Sequence, residues 1–362
     1  MLNSRLTRSV VATSSVRSTI LFVFALGFVV LGGSGCVKKT IGVPLLLTPL
    51  AEAKTAELEA QINRLASVRS IKGKVDIQFQ DTSFAESGIA EKYRTADGMV
   101  ILQRPNQIYL AIQTPFVGKD LAEMTSDGER FRVAVLAPFS GGEKYRSFLR
   151  GTNNAVYAMP KMDGAMATAK KNGKNLAMTE ERAVSVLANL RPQHFTDALL
   201  IVPILPHAES RLVYAQSEIY QEERDTRPDK RNARVVRGYY LLDELSPGDA
   251  GTARLVRRFW FDRVGGIRLA RLQTFDASGV LTTDVSFSDA KQFGEGGRVT
   301  LPARVEVTRP QEHYKLSIGY QSPEAVVLDQ AYKPQTFLLE NSSNLREVDL
   351  DTRRSKQEAS SK

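Results

Sequence analysis

The chain has 362 residues, a formal net charge of +9 and hydrophobic residues at 42% of its positions. This length suffices for one large domain or two small ones. The basic residues do not form a stripe interleaved with aromatics, which argues against a nucleic-acid-binding protein. The three histidines lack metal-ligand spacing, so the sequence predicts neither a metal site nor a bound cofactor.

The first 35 residues have the pattern of a secretory signal peptide. Three arginines, Arg5, Arg8 and Arg17, precede an apolar run from Ile20 to Leu31. As a helix this run would extend about 18 Å, which is too short for the ~30 Å hydrocarbon core of a bilayer. A basic stretch, a short apolar run and then small residues predict cleavage after residue 35, with an uncleaved anchor as the alternative.

The single cysteine follows this segment directly. Gly33, Ser34 and Gly35 before Cys36 resemble the lipobox of bacterial lipoproteins, although that family prefers Leu where Gly33 stands. The resemblance implies that Cys36 is acylated, with chains such as palmitate, and becomes the first residue of the mature protein. Ordinary cleavage with an incidental thiol is the alternative; the lack of a partner cysteine favours lipidation. Acyl chains would hold the protein at a membrane surface.

Residues 36–49 are interpreted as a tether, and one domain is predicted over 50–340. Thr48 and Pro49 suit the N-cap and the first position of a helix. Apolar residues then recur three or four apart without an interrupting glycine or proline, which predicts an amphipathic helix over 50–66. The recurring residues are Leu50, Ala53, Leu58, Ile62 and Leu65.

From Ile71 onward the apolar pattern changes to alternation with period two, which is typical of half-buried antiparallel strands. The clearest sets are Val75, Ile77 and Phe79; Ile108, Leu110 and Ile112; Thr283, Val285 and Phe287; and Tyr314, Leu316, Ile318 and Tyr320. Turns are predicted at 96–98, 126–128, 263–266 and 277–279. The predicted fold class is mainly β (α+β), an unclosed antiparallel β-barrel or curved sheet with an N-terminal helix and a helical cover.

Three segments depart from the strand pattern. Residues 151–205 are predicted to be a helical insertion, with one short helix in TEERAVSVLANL and a second in QHFTDALLIVPIL. Residues 221–254 are highly charged and are interpreted as an expanded loop region. Residues 341–362 are polar and contain no aromatic residue, so they are predicted to be a disordered tail.

No residue pattern supports catalysis. The chain has no GxSxG motif, no P-loop and no GxGxxG behind a strand. The Gly-rich stretch FGEGGR at 293–298 lacks the Lys-Ser/Thr of a phosphate loop and is predicted to be a turn. The chain is therefore predicted not to be an enzyme, and a hydrolase with unrecognised residues is the weakest alternative.

The block LQRPNQIYLAIQTPFVGKDLAEMTSDGERFRVAVLAP at 102–138 resembles the LolA/LolB family of bacterial lipoprotein carriers and receptors. The similar features are an amphipathic N-terminal helix, an Arg104-Pro105 strand end, a Ser126-Asp127-Gly128 turn and a strand ending near Pro138. The stretch RFWFDRVGGIRLARLQTFDASGVLTTDVSFSDA at 258–290 is similar to paired strands of that family. The resemblance covers roughly 50–150 and 211–320, in a chain longer than typical members.

In that family an unclosed barrel holds an apolar cavity that takes up acyl chains beneath covering helices. The resemblance implies such a cavity here, with a filled core of the same side chains as the alternative. The arginine of the Arg-Pro motif closes the cover by hydrogen bonds in the soluble carrier. Arg104 is therefore the cover-closing candidate, and a surface cation at a strand end is its alternative role. The cavity-lining candidates are Val75, Ile77, Phe79, Ile108, Leu110 and Ile112.

The membrane-anchored receptor of the family has a protruding apolar loop, and the resemblance makes Phe116 and Val117 the membrane-loop candidates. Pro115 and Gly118 flank them, and Lys119 would lie near lipid head groups. The alternative is a hairpin whose Phe116 folds back onto the sheet.

These features predict a lipid-anchored lipoprotein of the bacterial cell envelope. Val37, rather than Asp, follows the cysteine, which favours the outer membrane, facing the periplasm, over the inner membrane. The protein is expected to be a monomer that binds acyl chains of membrane lipids or lipoproteins and assists their placement, with a periplasmic carrier protein as a further partner. The alternative function is a non-catalytic envelope lipoprotein that serves as a protein-binding scaffold.

Overall fold

The computed structural model describes residues 43–82, 91–92, 96–114, 120–136, 146–153, 155, 157, 192–206, 211–225, 227, 230, 233–248 and 251–354. The chain divides into two units, Met1–Pro44 and Leu45–Lys362. Every element described below belongs to the second unit.

Seventeen strands of the described residues join in one sheet. The first half of the chain contributes β1 (Leu45–Leu46), β2 (Ser70–Asp81), β3 (Glu91–Lys92), β4 (Ala96–Gln103), β5 (Gln107–Gln113), β6 (Asp120–Ser126), β7 (Arg130–Val135) and β8 (Ser147–Thr152). The second half contributes β9 (Val213–Arg224), β10 (Arg234–Pro247), β11 (Ala253–Asp262), β12 (Arg268–Phe275), β13 (Leu281–Phe293), β14 (Val299–Arg309), β15 (Tyr314–Tyr320), β16 (Val327–Leu328) and β17 (Arg346–Asp349).

Two helices, α1 (Thr55–Ala66) and α2 (Pro192–Leu199), pack on this sheet. The chain also forms short 3-10 helices at Pro323–Ala325 and Pro334–Phe337, and a helical turn over 350–354. The strong excess of strand over helix follows from the period-two alternation that runs through most of the sequence.

The strands follow one another across the sheet in the order β17, β8, β7, β6, β5, β4, β2, β15, β14, β13, β12, β11, β10 and β9. Short strands β3 and β16 also pair with β2, and β1 pairs with β10. Among the described strands, only the β1–β10 and β17–β8 pairings are parallel. The outermost strands β17 and β9 do not pair with each other, which confirms the predicted unclosed, mainly antiparallel curved sheet.

The two faces of the sheet carry different side chains. Alternate residues of the strands converge with α1 and α2 in one large apolar core, which lies on the inner face. On the outer face of β9–β15, charged and aromatic side chains pair across neighbouring strands, as Arg271 does with Asp284 and Lys315 with Glu306. Such cross-strand pairs stabilise an exposed sheet face without burying it.

Helix α1 begins at Thr55, later than the predicted start at residue 50. The residues before it are extended instead, because Leu50 forms an antiparallel bridge with Val264. The N–H of Leu47 also donates a 2.9 Å hydrogen bond to the carbonyl of Val236. The predicted 36–49 tether is therefore wrong from Leu45 onward, since these residues extend the edge of the sheet beside β10.

Helix α2 accounts for only part of the predicted helical insertion. Residues 151–152 of that range belong to β8, and 201–206 are not helical. Pro203 and Pro206 explain the second departure, because proline lacks a backbone N–H and disfavours helix at the residue before it. The predicted helix at 179–190 lies outside the described residues.

Residues 341–354 are ordered, so the predicted disordered tail is wrong for this part of 341–362. Strand β17 pairs with β8 in parallel register, and Val348 and Leu350 enter the main core. Leu345 packs with Phe148 in a second small core on the outer face of the sheet. A few apolar side chains in a polar segment are enough to dock it when a strand edge is available.

The charged region 221–254 is also regular rather than looped. Strands β9 and β10 form a long antiparallel hairpin through it, and β11 begins at Ala253. The three predicted turns at 126–128, 263–266 and 277–279 connect strands as expected. The predicted turn at 96–98 is wrong, because these residues open strand β4.

Candidate functional site

The inner face of the curved sheet is occupied by the cover segment, defined here as residues 192–206. Helix α2, which forms its first part, contacts β5, β6 and β14. Phe195 and Ala198 are almost completely buried, as are Ile201 and Ile204 in the extended part that follows. The cover segment therefore contributes apolar side chains to the core rather than lying across an empty hollow.

The predicted cavity-lining residues all lie in or against this core. Five are buried within it, and the sixth, Phe79, is half-buried and stacks on Tyr314 with ring centroids 5.7 Å apart. The five buried residues are Val75, Ile77, Ile108, Leu110 and Ile112. Their side chains share the inner face as the alternation predicted.

An apolar cavity beneath the cover segment, between α2 and strands β13 to β15, has a volume of about 20 Å³. Leu65, Ile71, Ala198 and Leu301 are among its lining residues, and none of the six predicted lining residues is. A volume of this size accommodates roughly one water molecule. This cavity is therefore too small for an acyl chain while the cover stays in place.

Arg104 connects the cover segment to the rest of the fold. Its Nη2 donates a 2.7 Å hydrogen bond to the carbonyl of Ile201, and its Nε donates a 2.9 Å hydrogen bond to the carbonyl of Val68. Val68 lies between α1 and β2, and Ile201 follows α2, so one guanidinium binds the backbone just after each of the two helices. Partial burial lowers the pKa of Arg104 from its usual value.

A second arginine holds the next residues of the cover segment. Arg257 donates hydrogen bonds to the carbonyls of Val202 at 2.9 Å and Pro203 at 3.4 Å. Its guanidinium is fixed by Glu244, which is its direct neighbour across β10 and β11 and is almost fully buried. A charge-assisted pair of this kind presents the remaining N–H groups in a defined direction.

Asn63 supplies the third side-chain contact. Its Oδ1 accepts a 2.9 Å hydrogen bond from the backbone N–H of Ile204. The backbone of residues 201–204 is thus held by side chains from α1, from the strand end at Arg104 and from β11. Each of these side-chain hydrogen bonds contributes about 0.5–3 kcal/mol. They can break separately, whereas the backbone hydrogen bonds of a strand ladder cannot.

Helix α2 also buries polar side chains, among them those of His194 and Asp197. His194 is buried, and its Nδ1 lies 2.5 Å from the hydroxyl of Tyr314. Burial raises the pKa of Asp197 to about 6, against the opposing attraction of Arg309. The cover segment therefore contains a carboxyl group, that of Asp197, whose charged form is disfavoured by burial.

Tyr320 adds a further buried polar group beside the small cavity. Its side chain lines that cavity, and its hydroxyl has no hydrogen-bond partner among the described residues. Burial raises the pKa of this hydroxyl above its usual value. A buried hydroxyl without a partner costs about 1–3 kcal/mol relative to a satisfied one.

Of the three side chains that hold the cover segment, Arg104 is the one with a sequence signal, the Arg-Pro motif. No local pattern marks Asn63 or Arg257 as partners of a segment far along the chain. The prolines in IVPILP were the available signal that the segment after α2 is extended. Cys36, Phe116 and Val117 lie outside the described residues.

Neither a metal centre nor a membrane-spanning helix is found in the part of the chain that the structure describes. No three His, Cys, Asp or Glu side chains there come together as metal ligands. No described helix combines the length and the apolar character needed to cross a membrane.

Comparisons with known proteins find similarity at the level of structure. No family model matches the chain, and no curated protein matches its sequence. A LolA superfamily protein from Nitrosomonas europaea aligns over 79% of this chain and 99% of its own, with 10% identity and a TM-score of 0.35. A DUF1329 family protein from Desulfovibrio piger aligns over 79% and 96%, with 12% identity and a TM-score of 0.36. A domain described as an outer membrane lipoprotein-sorting protein, from Vibrio parahaemolyticus, aligns over 78% and 97%, with 10% identity and a TM-score of 0.37.

Proposed function

We propose that this protein is a non-catalytic carrier or receptor that binds acyl chains on the inner face of its sheet, in place of the cover segment. The single observation that carries the proposal is the way residues 201–204 are attached. Side chains of Arg104, Arg257 and Asn63 hold their backbone, while apolar side chains fill the space beneath. A segment attached in this way can leave without disrupting the strand ladders.

The cover segment and an acyl chain can bury apolar groups of similar total hydrophobic free energy. Four large side chains of the cover segment are buried, namely Phe195, Leu200, Ile201 and Ile204. At roughly 2 kcal/mol each, their burial contributes about 8 kcal/mol. A palmitoyl chain gains ~0.8 kcal/mol per buried methylene, or about 11 kcal/mol for some 14 methylenes. An acyl chain therefore has enough apolar surface to replace the cover.

The buried apolar side chains of the cover segment favour a second candidate function, a protein-binding scaffold with a permanent core. The volume of about 20 Å³ beneath the cover holds no acyl chain while the cover stays in place. The two candidates therefore differ in one respect, which is whether residues 192–206 leave the inner face when lipid is offered.

Locking the cover tests this difference. In the double variant Asn63→Cys/Ile204→Cys, a disulfide would join α1 to the cover segment, at a position where Asn63 Oδ1 and Ile204 N are 2.9 Å apart. Native mass spectrometry of the purified protein with added palmitate should show bound lipid in the reduced form and little in the oxidised form.

The single variant Asn63→Cys is the matched control, because it loses the same amide but has no thiol at position 204; both proteins also carry Cys36→Ser, so that no other thiol can pair. It should bind palmitate under both redox conditions. Equal binding by the oxidised and reduced double variants would instead support the scaffold with a permanent core.

We further propose that acylated Cys36 anchors the protein in the outer membrane, facing the periplasm, where it assists lipoprotein or lipid placement. The small residues before Cys36 and the absence of any other cysteine support the anchor. Metabolic labelling with an alkyne-bearing palmitate tests it. Labelling of the protein and its loss in the variant Cys36→Ser are expected, and an unlabelled protein would remove the anchor.

The Phe116-Val117 pair is proposed to insert into the bilayer interface during transfer. The support is its sequence setting between Pro115 and Gly118, with Lys119 next. The double variant Phe116→Glu/Val117→Glu should transfer labelled acyl chains to vesicles at least tenfold more slowly while its thermal unfolding is unchanged. Unchanged transfer by the folded variant would remove this loop from the mechanism.

A further inference from the structure

Strands β12 and β13 separate part-way along their length. Their pairing runs from Phe275 and Leu281 to Arg271 and Ser286, and ends there. Beyond that point β12 pairs with β11 and β13 pairs with β14. Two strand edges thus face each other without hydrogen bonds, which leaves a lateral gap in the sheet.

The backbone of β13 bends away from β12 at this gap. Asp289 has φ of 55°, a left-handed conformation in the middle of a strand. Pairing with β14 is interrupted at the same residue, between the Ser288–Arg304 and Ala290–Pro302 pairs. The separation of the strands is therefore part of the backbone conformation of β13.

The gap opens into a groove of about 1070 Å³, defined here as the lateral groove. Its walls are β12 on one side and β13 and β14 on the other, and the C-terminal half of α1 lies behind it. This volume is at the upper end of the roughly 300–1000 Å³ typical of small-molecule sites.

The floor of the lateral groove leads to the cover segment. Leu65, Val68, Phe287 and Leu301 line both the groove and the small apolar cavity beneath α2. Ala198 and Ile201 of the cover segment form the opposite wall of that cavity. An apolar chain that enters through the groove would therefore meet the cover from its inner side.

The rim of the lateral groove has an unbalanced positive charge. Its three carboxylates are all in ion pairs, Asp262 with Arg237, Asp329 with Arg298 and Asp289 with Arg304. Arginines outnumber these carboxylates by one, since four line the groove, namely Arg64, Arg237, Arg268 and Arg298.

Arg64 is exposed and lines the same groove. Its guanidinium has no hydrogen-bond or ion-pair partner within the described ranges. An unpaired guanidinium above an apolar floor suits a ligand with an apolar chain and an anionic oxygen-bearing head, because guanidinium binds carboxylate and phosphate in a bidentate way.

We propose that the lateral groove is the entry site for an anionic lipid, with its carboxylate or phosphate head at Arg64 and its acyl chain directed over Leu65 and Leu301 towards the cover segment. This inference rests on the proposed acyl-binding function and assigns to it a route and a head-group preference. The occupant is a membrane lipid rather than a free anion, since only a lipid uses the apolar floor.

Photocrosslinking of the purified full chain tests this route. The probe is palmitate with a diazirine at its chain end, and hexadecanol with the same group is its uncharged counterpart. After irradiation, adducts of both probes should map to peptides that contain Leu65, Phe287 or Leu301. The variant Arg64→Glu should lower the palmitate adduct about tenfold and leave the hexadecanol adduct unchanged.

Arg254→Glu is the matched control, because Arg254 is an exposed arginine on β11 that does not line the groove. It should leave both adducts unchanged. The hexadecanol adduct also reports that the Arg64→Glu chain is folded. Adducts confined to other peptides, or an unchanged palmitate yield in Arg64→Glu, would overturn the lateral route.

The outcomes separate the two proposals. Adducts on residues 192–206 without adducts on the groove peptides would overturn the route and leave acyl binding in place. Groove adducts that persist when the Asn63→Cys/Ile204→Cys lock is oxidised would support the groove and overturn displacement of the cover. No adduct on any peptide of the unmodified chain would overturn both.

Discussion

Arg104 and Ile201, 97 residues apart in sequence, are joined by a hydrogen bond of 2.7 Å from the guanidinium to the backbone carbonyl. The same guanidinium also binds the carbonyl of Val68. One side chain at the end of β4 therefore links the start of β2 to the segment that fills the inner face. The contact is partly buried, where a charge-assisted hydrogen bond contributes about 1.5–3 kcal/mol.

Replacing Arg104 by leucine should loosen the cover segment more than the rest of the fold. The variant Arg104→Leu leaves the carbonyls of Val68 and Ile201 without their donor, so backbone amides in 192–206 should exchange with solvent at least tenfold faster. Hydrogen exchange followed by mass spectrometry measures this for each segment, and amides of β13 and β14 serve as the internal reference.

Arg104→Lys separates charge from geometry. Lysine keeps the charge but presents a single ammonium, which does not reproduce two divergent N–H groups, so it should restore less than half of the lost protection. Equal protection of 192–206 in all three proteins would show that Arg104 does not hold the cover.

The sequence pattern was sufficient for the strands and insufficient for the contacts between distant segments. Alternation in VDIQFQ, QIYLAIQ and HYKLSIGY is a local property, because successive side chains of a strand point to opposite faces. The match between Arg104 and Ile201 is not local, and only the resemblance pointed to a cover partner. The lateral groove was likewise missed, because nothing in the letters of β13 marks the bend at Asp289.

At Gly98 a residue pattern that is typical of turns predicted a turn where the structure has a strand. Ala-Asp-Gly is typical of a turn, yet Gly98 lies within β4. A Cβ at this position would come within 2.8 Å of Ile77 Cδ1 and 2.9 Å of the carbonyl oxygen of Ala111. The glycine is therefore explained by the close approach of neighbouring strands, which depends on the tertiary structure.

The pH dependence of stability should reveal Asp197. Its folded-state pKa of about 6 exceeds the ordinary value of 3.8, so the folded state binds the extra proton between these values. The stabilising contribution of protonated Asp197 is therefore fully present below about pH 4 and is lost as the pH rises through about 6. At 1.36 kcal/mol per pH unit, the loss above pH 6 is about 3 kcal/mol.

Asp197→Asn removes this ionisation. The variant should equal the unmodified protein at pH 4 and be more stable at pH 8, by about 1–3 kcal/mol, as measured by urea unfolding at both values. Glu295→Gln, which changes an exposed carboxylate, should leave the pH dependence as it is. A fall in stability at pH 8 in Asp197→Asn would mean that the charged carboxylate makes a favourable contact with Arg309.

We expect the C-terminal residues before and after residue 354 to contribute differently to stability. Residues 355–362 are polar and contain no aromatic residue, so their removal should leave the free energy of unfolding unchanged. Removal of 341–362 exposes the sites of Leu345, Val348 and Leu350 and the edge of β8, and should lower it by about 4 kcal/mol or more. Urea unfolding of the two truncations against the full chain gives the comparison, and equal values would mean that β17 is not docked in solution.

The unpaired hydroxyl of Tyr320 links stability to ligand binding. Because the hydroxyl is buried beside the small cavity without a partner among the described residues, Tyr320→Phe should stabilise the ligand-free protein by about 1–2 kcal/mol. If an oxygen of the bound lipid accepts a hydrogen bond from this hydroxyl, the same variant should also bind palmitate several-fold more weakly.

Tyr314→Phe is the contrasting variant, since the Tyr314 hydroxyl lies 2.5 Å from His194 and its loss should destabilise the protein. Urea unfolding and native mass spectrometry measure the two effects, and a Tyr320→Phe protein less stable than the parent would mean that this hydroxyl has a partner in solution.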